Sequence, residues 1–209
     1  MKGARLGDQH PTPHRTAFTR PGWIFEHKLD GFRALARTGT APALLSRNGL
    51  SYAAAFPEII AALRRFPTCA VLDCELVVVD CDGRPQWESL RRRARIHRRG
   101  GPEAAARSEP ASVYAFDVWA IDRRDLRELK LLERKEQLAS LVRGIPHVHY
   151  VEHLEAHGEA LFGEVCELDL EGIVAKQADS PYKVGRQATW LKMKNQGYSR
   201  PEALRSDGG

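Results

Sequence analysis

Residues 22 to 37 read Gly-Trp-Ile-Phe-Glu26-His-Lys28-Leu-Asp30-Gly31-Phe-Arg33-Ala-Leu-Ala-Arg37. Two short runs rich in apolar residues, 22–28 and 32–37, flank an Asp-Gly pair. Asp-Gly between such runs is a strong signal for two strands joined by a tight turn. This stretch therefore predicts a β-hairpin, and Glu26, Lys28, Asp30 and Arg33 crowd four charges around its turn. A lysine amine is a nucleophile only when neutral, which burial and neighbouring cations favour. A glycine lets the backbone come close and reverse. An arginine supplies a planar fork for a phosphate or ribose oxygen.

Outward from this stretch, residues 43–46 predict a third strand ending at Asn48-Gly49, another turn pair. Residues 53–66 show helical spacing through Phe56, Ile59, Ile60 and Leu63. The β-branched run 71–80 predicts a central strand. Residues 87–99 predict a basic helix stopped by Gly100, Gly101 and Pro102. The small and polar residues 100–111 predict a loop. Strands follow at 113–121 and 148–151, helices at 131–142 and 155–167, and final strands at 172–176 and 189–194. Strands and helices do not alternate regularly, which excludes a doubly wound parallel sheet. The pattern predicts an α+β domain of mainly antiparallel sheets flanked by helices. Residues 1–20 predict a flexible lead-in, 21–196 the domain, and 197–209 a disordered tail.

The 209 residues are 43% hydrophobic and 28% charged, an ordinary balance for a soluble globular chain. No apolar run approaches the roughly 20 residues of a membrane span, and the start carries no signal-peptide apolar core. No membrane partner and a cytoplasmic location are expected. Cys69, Cys74, Cys81 and Cys166 form no Cys-x-x-Cys pair, which speaks against zinc and for buried reduced thiols. The net charge of +5 suits a polyanionic partner. Residues 91–99, Arg-Arg-Arg-Ala-Arg-Ile-His-Arg-Arg, concentrate that charge. They predict either a phosphate-contacting surface or a solvated helix face.

Lys28-x-Asp30-Gly31-x-Arg33 resembles the nucleophile motif of the covalent nucleotidyltransferases, the superfamily of DNA ligases, RNA ligases and capping enzymes. Further pieces follow in that superfamily's order. Ser46-Arg47-Asn48-Gly49 resembles the ligases' second short motif. Leu72-Asp73-Cys74-Glu75-Leu76 resembles their Asp-Gly-Glu-Leu strand, with cysteine for glycine. Tyr114-Ala115-Phe116-Asp117 resembles the strand whose aromatic residue stacks on adenine. Asp125-Leu126 and Leu132-Glu133-Arg134-Lys135 match the ligases' connection into the next helix. Glu171-Gly172-Ile173-Val174-Ala175-Lys176 resembles a metal-binding motif. Ser180 to Arg186 then leads into Trp190-Leu191-Lys192-Met193-Lys194. The wording is most similar to bacterial end-joining ligases, over roughly residues 22 to 195.

The resemblance implies an adenylation domain with the covalent nucleotidyltransferase (ATP-grasp-like) fold. It implies ATP and Mg2+ (or Mn2+) as cofactors, and nicked or broken duplex DNA as partner. Lys28 is the implied nucleophile. Arg47, Lys192 and Lys194 are the implied phosphate contacts, and Asp30, Arg33, Lys176 and Arg186 share the nucleotide site. Phe116 is implied to stack on adenine, Glu26 to read its amino group, and Glu171 with Glu75 to hold the metal. Ligases of this type continue into an oligonucleotide-binding barrel, for which the 15 residues after Lys194 are too few. The expectation is a domain that adenylates and relies on a separate barrel-domain or end-joining protein to seal. A nucleotide-binding remnant and a basic DNA-binding module without chemistry stand beside it as alternatives.

Overall fold

In the computed structural model, which describes residues 7–96 and 98–199, eleven strands and five helices appear. In chain order they are β1 (Gln9–Pro13), β2 (Trp23–His27), β3 (Phe32–Arg37), β4 (Ala43–Ser46), α1 (Pro57–Arg64) and β5 (Ala70–Val78). Then come α2 (Trp87–Arg93), α3 (Gly101–Ser108), β6 (Ala111–Ile121), β7 (Arg124–Asp125) and α4 (Leu131–Val142). The last are β8 (Val148–Tyr150), β9 (His153–Glu155), α5 (Gly158–Glu167), β10 (Gly172–Gln177) and β11 (Gly185–Lys194).

Two sheets result. One has the order β1-β11-β10-β2-β9, the other β4-β3-β5-β6-β7 with β8 also paired to β6. Pairing is antiparallel except for β1 with β11 and β6 with β8. The α+β class with mainly antiparallel sheets therefore holds. Among the described residues the chain passes between sheets twice, from β2 to β3 and from β8 to β9. Each sheet buries its outer face under helices. The larger core packs Leu72, Leu76, Val113 and Val118 with Phe56, Ile59 and Leu63 of α1 and Leu138 of α4. The smaller packs Trp23, Phe25, Ile173, Ala175 and Met193 with Leu161 and Val165 of α5. Because side chains alternate along a strand, the other faces of β2, β10 and β11 turn toward the second sheet.

The hairpin expected at Asp30-Gly31 is not formed. β2 pairs with β10 and β9, β3 with β4 and β5, so Asp30-Gly31 carries the chain from one sheet to the other. Gly31 is needed here for closeness rather than for turning: a Cβ on it would collide with the Leu76 carbonyl oxygen. The lead-in expected to be loose contains β1, which lies at a sheet edge, where Pro11 and Pro13 are tolerated.

The helix expected from residue 53 begins at Pro57, since the residue before a proline disfavours helical backbone and Phe56 is non-helical. The basic helix stops at Arg93 instead of 99. The expected loop 100–111 contains α3, whose Pro102 and Ala104-Ala105-Ala106 suit a helix. The helix expected from 155 starts at Gly158, because β9 takes the preceding residues. Of the four cysteines expected to be buried, only Cys74 is; Cys69, Cys81 and Cys166 are exposed, and all are free thiols. The tail expected to be disordered falls largely outside the described residues. Among the described residues no helix is long and apolar enough to cross a membrane.

Candidate active site

Between the two sheets lies a cavity of about 240 Å³. One wall is Glu26 and His27 of β2, Val174 and Lys176 of β10, and Trp190 and Lys192 of β11. The other is Arg33 of β3, Glu75 of β5 and Phe116 of β6. Lys28 and Leu29 line it from the first inter-sheet passage, and Val151 from the second. Its lining thus gathers five Lys or Arg residues, two histidines, the rings of Phe116 and Trp190, and two carboxylates. That chemistry suits a flat heterocycle carrying a polyphosphate.

Lys28 is half-buried, and its Nζ donates to Glu171 Oε2 at 2.6 Å. Its backbone N–H donates to the Gly172 carbonyl at 2.8 Å. Lys194 pairs with the other Glu171 oxygen at 3.0 Å. As the alternation of β11 required, Lys192 and Lys194 share a face with Trp190, while Leu191 and Met193 pack against the smaller core. Burial, then Lys28, Lys194 and Arg186, lower the Lys192 pKa, with Glu171 opposing.

Residues 11–194 match the family model of the ATP dependent DNA ligase domain. The chain belongs to this family.

Among its relatives, the multifunctional non-homologous end joining protein LigD of Pseudomonas aeruginosa is 30% identical over 198 residues, covering 89% of this chain and 22% of LigD. A probable DNA ligase of Streptomyces coelicolor is 35% identical over 180 residues, covering 81% of this chain and 34% of that protein. The fold is similar to mycobacterial DNA ligase D complexed with ATP and MES. That match has a TM-score of 0.74 and 28% identity, and covers 90% of this chain and 60% of the other. The chain thus spans a fifth to a third of these two curated relatives.

Within this ligase domain the sequence-derived residues separate into groups. Lys28, Glu26, Arg33, Arg47, Glu75, Phe116, Lys176 and Lys192 line the cavity. Glu171 reaches it through its bond to Lys28. Arg186 lies in an adjoining cavity of about 490 Å³, shared with His10, Arg47 and Lys192. Asp30 lines a smaller cavity on the other side of Lys28, and accepts from Tyr198 at 3.2 Å. Lys194 is half exposed beside Glu171.

Two of these side chains already have partners within the protein. The Arg33 fork expected for a phosphate or ribose oxygen is taken by Asp73, with Nε at 3.0 Å and Nη2 at 2.6 Å. Its Nη1 donates to the Gln9 carbonyl at 2.6 Å. Arg33 thereby fastens β1 to the second sheet. Glu26, expected to be available to an amino group, is buried between two lysines: Lys135 lies 2.5 Å from Oε1 and Lys176 2.5 Å from Oε2. Burial would raise its pKa, but the two ammonium groups outweigh it and hold Glu26 ionised. Lys176 stands 4.6 Å from the Phe116 ring centroid and 4.2 Å from that of Trp190. Burial lowers its pKa against the pull of Glu26.

Glu75 behaves differently from Glu26. Burial raises its pKa, Lys28 and Arg33 oppose, Glu171 and Asp73 add, and the result is about 8. Among the described residues no three His, Cys, Asp or Glu side chains cluster as a ready-made metal site.

Sequence reasoning gave no role to Trp190, Lys135, Asp73, Tyr182 or His10. Trp190, Lys135, Asp73 and Tyr182 sat inside quoted motifs, and Trp190 could have been placed by its register with Lys192. Tyr182 donates to Asp73 at 2.7 Å and so supports the Arg33 fork. His10 was legible only once the lead-in proved to be a strand.

Proposed function

We propose that this domain performs the adenylation step of an ATP-dependent DNA ligase. The Lys28 amine attacks the α-phosphorus of ATP. A nitrogen–phosphorus bond forms, the bond to pyrophosphate breaks, and AMP remains on Lys28. The AMP then passes to a 5′-phosphate at a nick or break in duplex DNA, and the 3′-hydroxyl displaces it as the strands join. The observation that carries this reading is the position of Lys28. It lines an inter-sheet cavity together with the rings of Phe116 and Trp190, the carboxylates of Glu26 and Glu75, and the cations Arg47 and Lys192. Phosphoryl transfer depends mostly on positioning and charge neutralisation, which is what this lining supplies.

Phe116 and Trp190 offer ring surface to the adenine and Glu26 an acceptor to its amino group. Lys192, Arg47 and Arg186 offer cations to the phosphates. For Mg2+ or Mn2+, the chain supplies the hard oxygens of Glu75 and Glu171, and triphosphate oxygens would complete the shell. Burial favours the protonated form of Glu75, so a divalent cation held there would have to displace that proton. When bound, the metal would draw charge off the phosphates facing Lys28.

The test is incubation with ATP and Mg2+, followed by mass spectrometry of the intact and digested chain. One AMP on Lys28, absent from Lys28→Ala, is the expected result. AMP on another residue, or an unchanged adduct in Lys28→Ala, overturns the reading.

A further inference from the structure

We propose that Lys135 is a positioning residue for recognition of the nucleotide base, acting through Glu26. The inference rests on the reading that Glu26, Phe116 and Trp190 receive the adenine.

Lys135 projects from α4 and is buried. It does not line the cavity, yet it holds two residues that do. Its Nζ lies 2.5 Å from Glu26 Oε1 and donates to the Val151 carbonyl at 3.0 Å. It also stands 4.4 Å from the Tyr150 ring centroid. Glu26 is the second-last residue of β2, one residue before the first passage between sheets, and Val151 lies on the second. One amine therefore ties together the two points at which the backbone crosses the seam.

The Glu26 carboxylate has each oxygen held by a different ammonium, Lys135 on one and Lys176 on the other. Two partners on opposite oxygens fix the rotation of the carboxylate plane and keep it ionised. An ionised carboxylate is only an acceptor. Held in one orientation, it favours an exocyclic amino group, as adenine carries, and disfavours a keto oxygen, as guanine carries at the same place. A site built to bond a polar group rejects a base that leaves its own groups unpaired. Without Lys135, Lys176 alone would hold Glu26, and both oxygens would be free to turn toward it. The remaining Glu26–Lys176 pair is charge-balanced, so replacing Lys135 by an apolar side chain of similar length leaves no lone buried charge.

The test measures lysyl-nucleotide formation with ATP and with GTP, for the whole chain and for Lys135→Met, Lys135→Arg and Glu26→Gln, alongside thermal melts. Lys135→Met is expected to raise KM for ATP by about tenfold, to change kcat by less than about threefold, and to lower the ATP-to-GTP preference by about tenfold. Lys135→Arg, which keeps the charge, is expected to restore most of that preference. If Lys135→Met is folded and keeps the preference, or loses rate equally with both nucleotides, the inference is overturned. It is overturned too if neither Lys135→Met nor Lys135→Arg melts cooperatively, since the lysine then serves folding. Glu26→Gln separates the two readings. A preference unchanged in Glu26→Gln overturns the assignment of the base site itself. A preference lost in Glu26→Gln but kept in Lys135→Met overturns the role of Lys135 alone.

Discussion

Glu171 holds Lys28 and Lys194 on its two carboxylate oxygens, at 2.6 and 3.0 Å. The Lys28 amine, the proposed nucleophile, is thus engaged by a carboxylate just before β10, where sequence reasoning had Glu171 hold a metal together with Glu75. Lys28 must leave this pairing to attack phosphorus, and a cation drawn to Glu171 would compete for the same oxygens.

Glu171→Gln should therefore separate chemistry from folding. Lys194 is half exposed, so its pair contributes little to stability. The melt should stay within about 3 °C of wild type, while AMP transfer to Lys28 falls on the order of 100-fold. Calorimetry with a gel assay for the adduct checks both, and a large melt shift with full adduct formation would reverse the reading.

The arginines of residues 91–99 divide into two kinds. Arg93 is buried, paired with Glu58 at 2.5 Å, bonded to the carbonyls of Glu109 and Ala55, and set over Phe56. Arg93→Met leaves Glu58 without its partner and should cost about 3 kcal/mol or more. Arg95 and Arg98 are exposed. Changing both to Gln should leave the melt unaltered and flatten the salt dependence of duplex binding by roughly two phosphate contacts. Denaturant titrations and a salt series of binding curves distinguish the kinds. Equal effects from both substitutions would contradict the division.

Burial lowers the pKa of His149 and of His153; His147 adds to the first, and Lys135 to the second against Glu26, Glu155 and Glu152. A histidine whose folded pKa is depressed contributes stability above its unfolded pKa, near 6.5, and loses it as pH falls through the folded value. The melting temperature should drop below about pH 6.5, and His153→Gln should shrink that drop. A variant with the same pH profile as wild type would show that other groups carry the acid sensitivity.

Gly172 has φ +148°, and a Cβ there would collide with the Met193 carbonyl oxygen. Gly172→Ala should cost about 2 kcal/mol or more. Since the Gly172 carbonyl receives the Lys28 N–H, adduct formation should fall beyond what unfolding explains. Rates measured well below the melt test this, with wild-type rates as the contrary outcome.

What the sequence disclosed followed local periodicity. The strand at 189–194 placed Lys192 and Lys194 on one face because alternation is a property of the strand alone. Pairings across long separations left no such mark. Arg93 and Lys135 look like ordinary helix-surface cations until Glu58 and Glu26, 35 and 109 residues away, are brought against them. Asp30-Gly31 looked like a hairpin because a turn within a sheet and a step between sheets use the same residues. Only the partners of the flanking strands, His27 with Ile173 and Arg33 with Glu75, tell them apart. β1 was hidden by its prolines, which an edge position permits.

The two backbone passages between sheets, at residues 28–31 and 151–152, leave most of the adhesion between the slabs to side chains. Arg33 grips Gln9, Tyr182 grips Asp73, Arg134 joins Asp117 to the Ser180 carbonyl, and Lys135 grips Glu26. A molecule lodged in the cavity sits in that joint and touches both slabs at once. It acts as mortar: its grip adds to those four clasps, so its arrival should slow amide exchange across both sheets together rather than quiet a single loop.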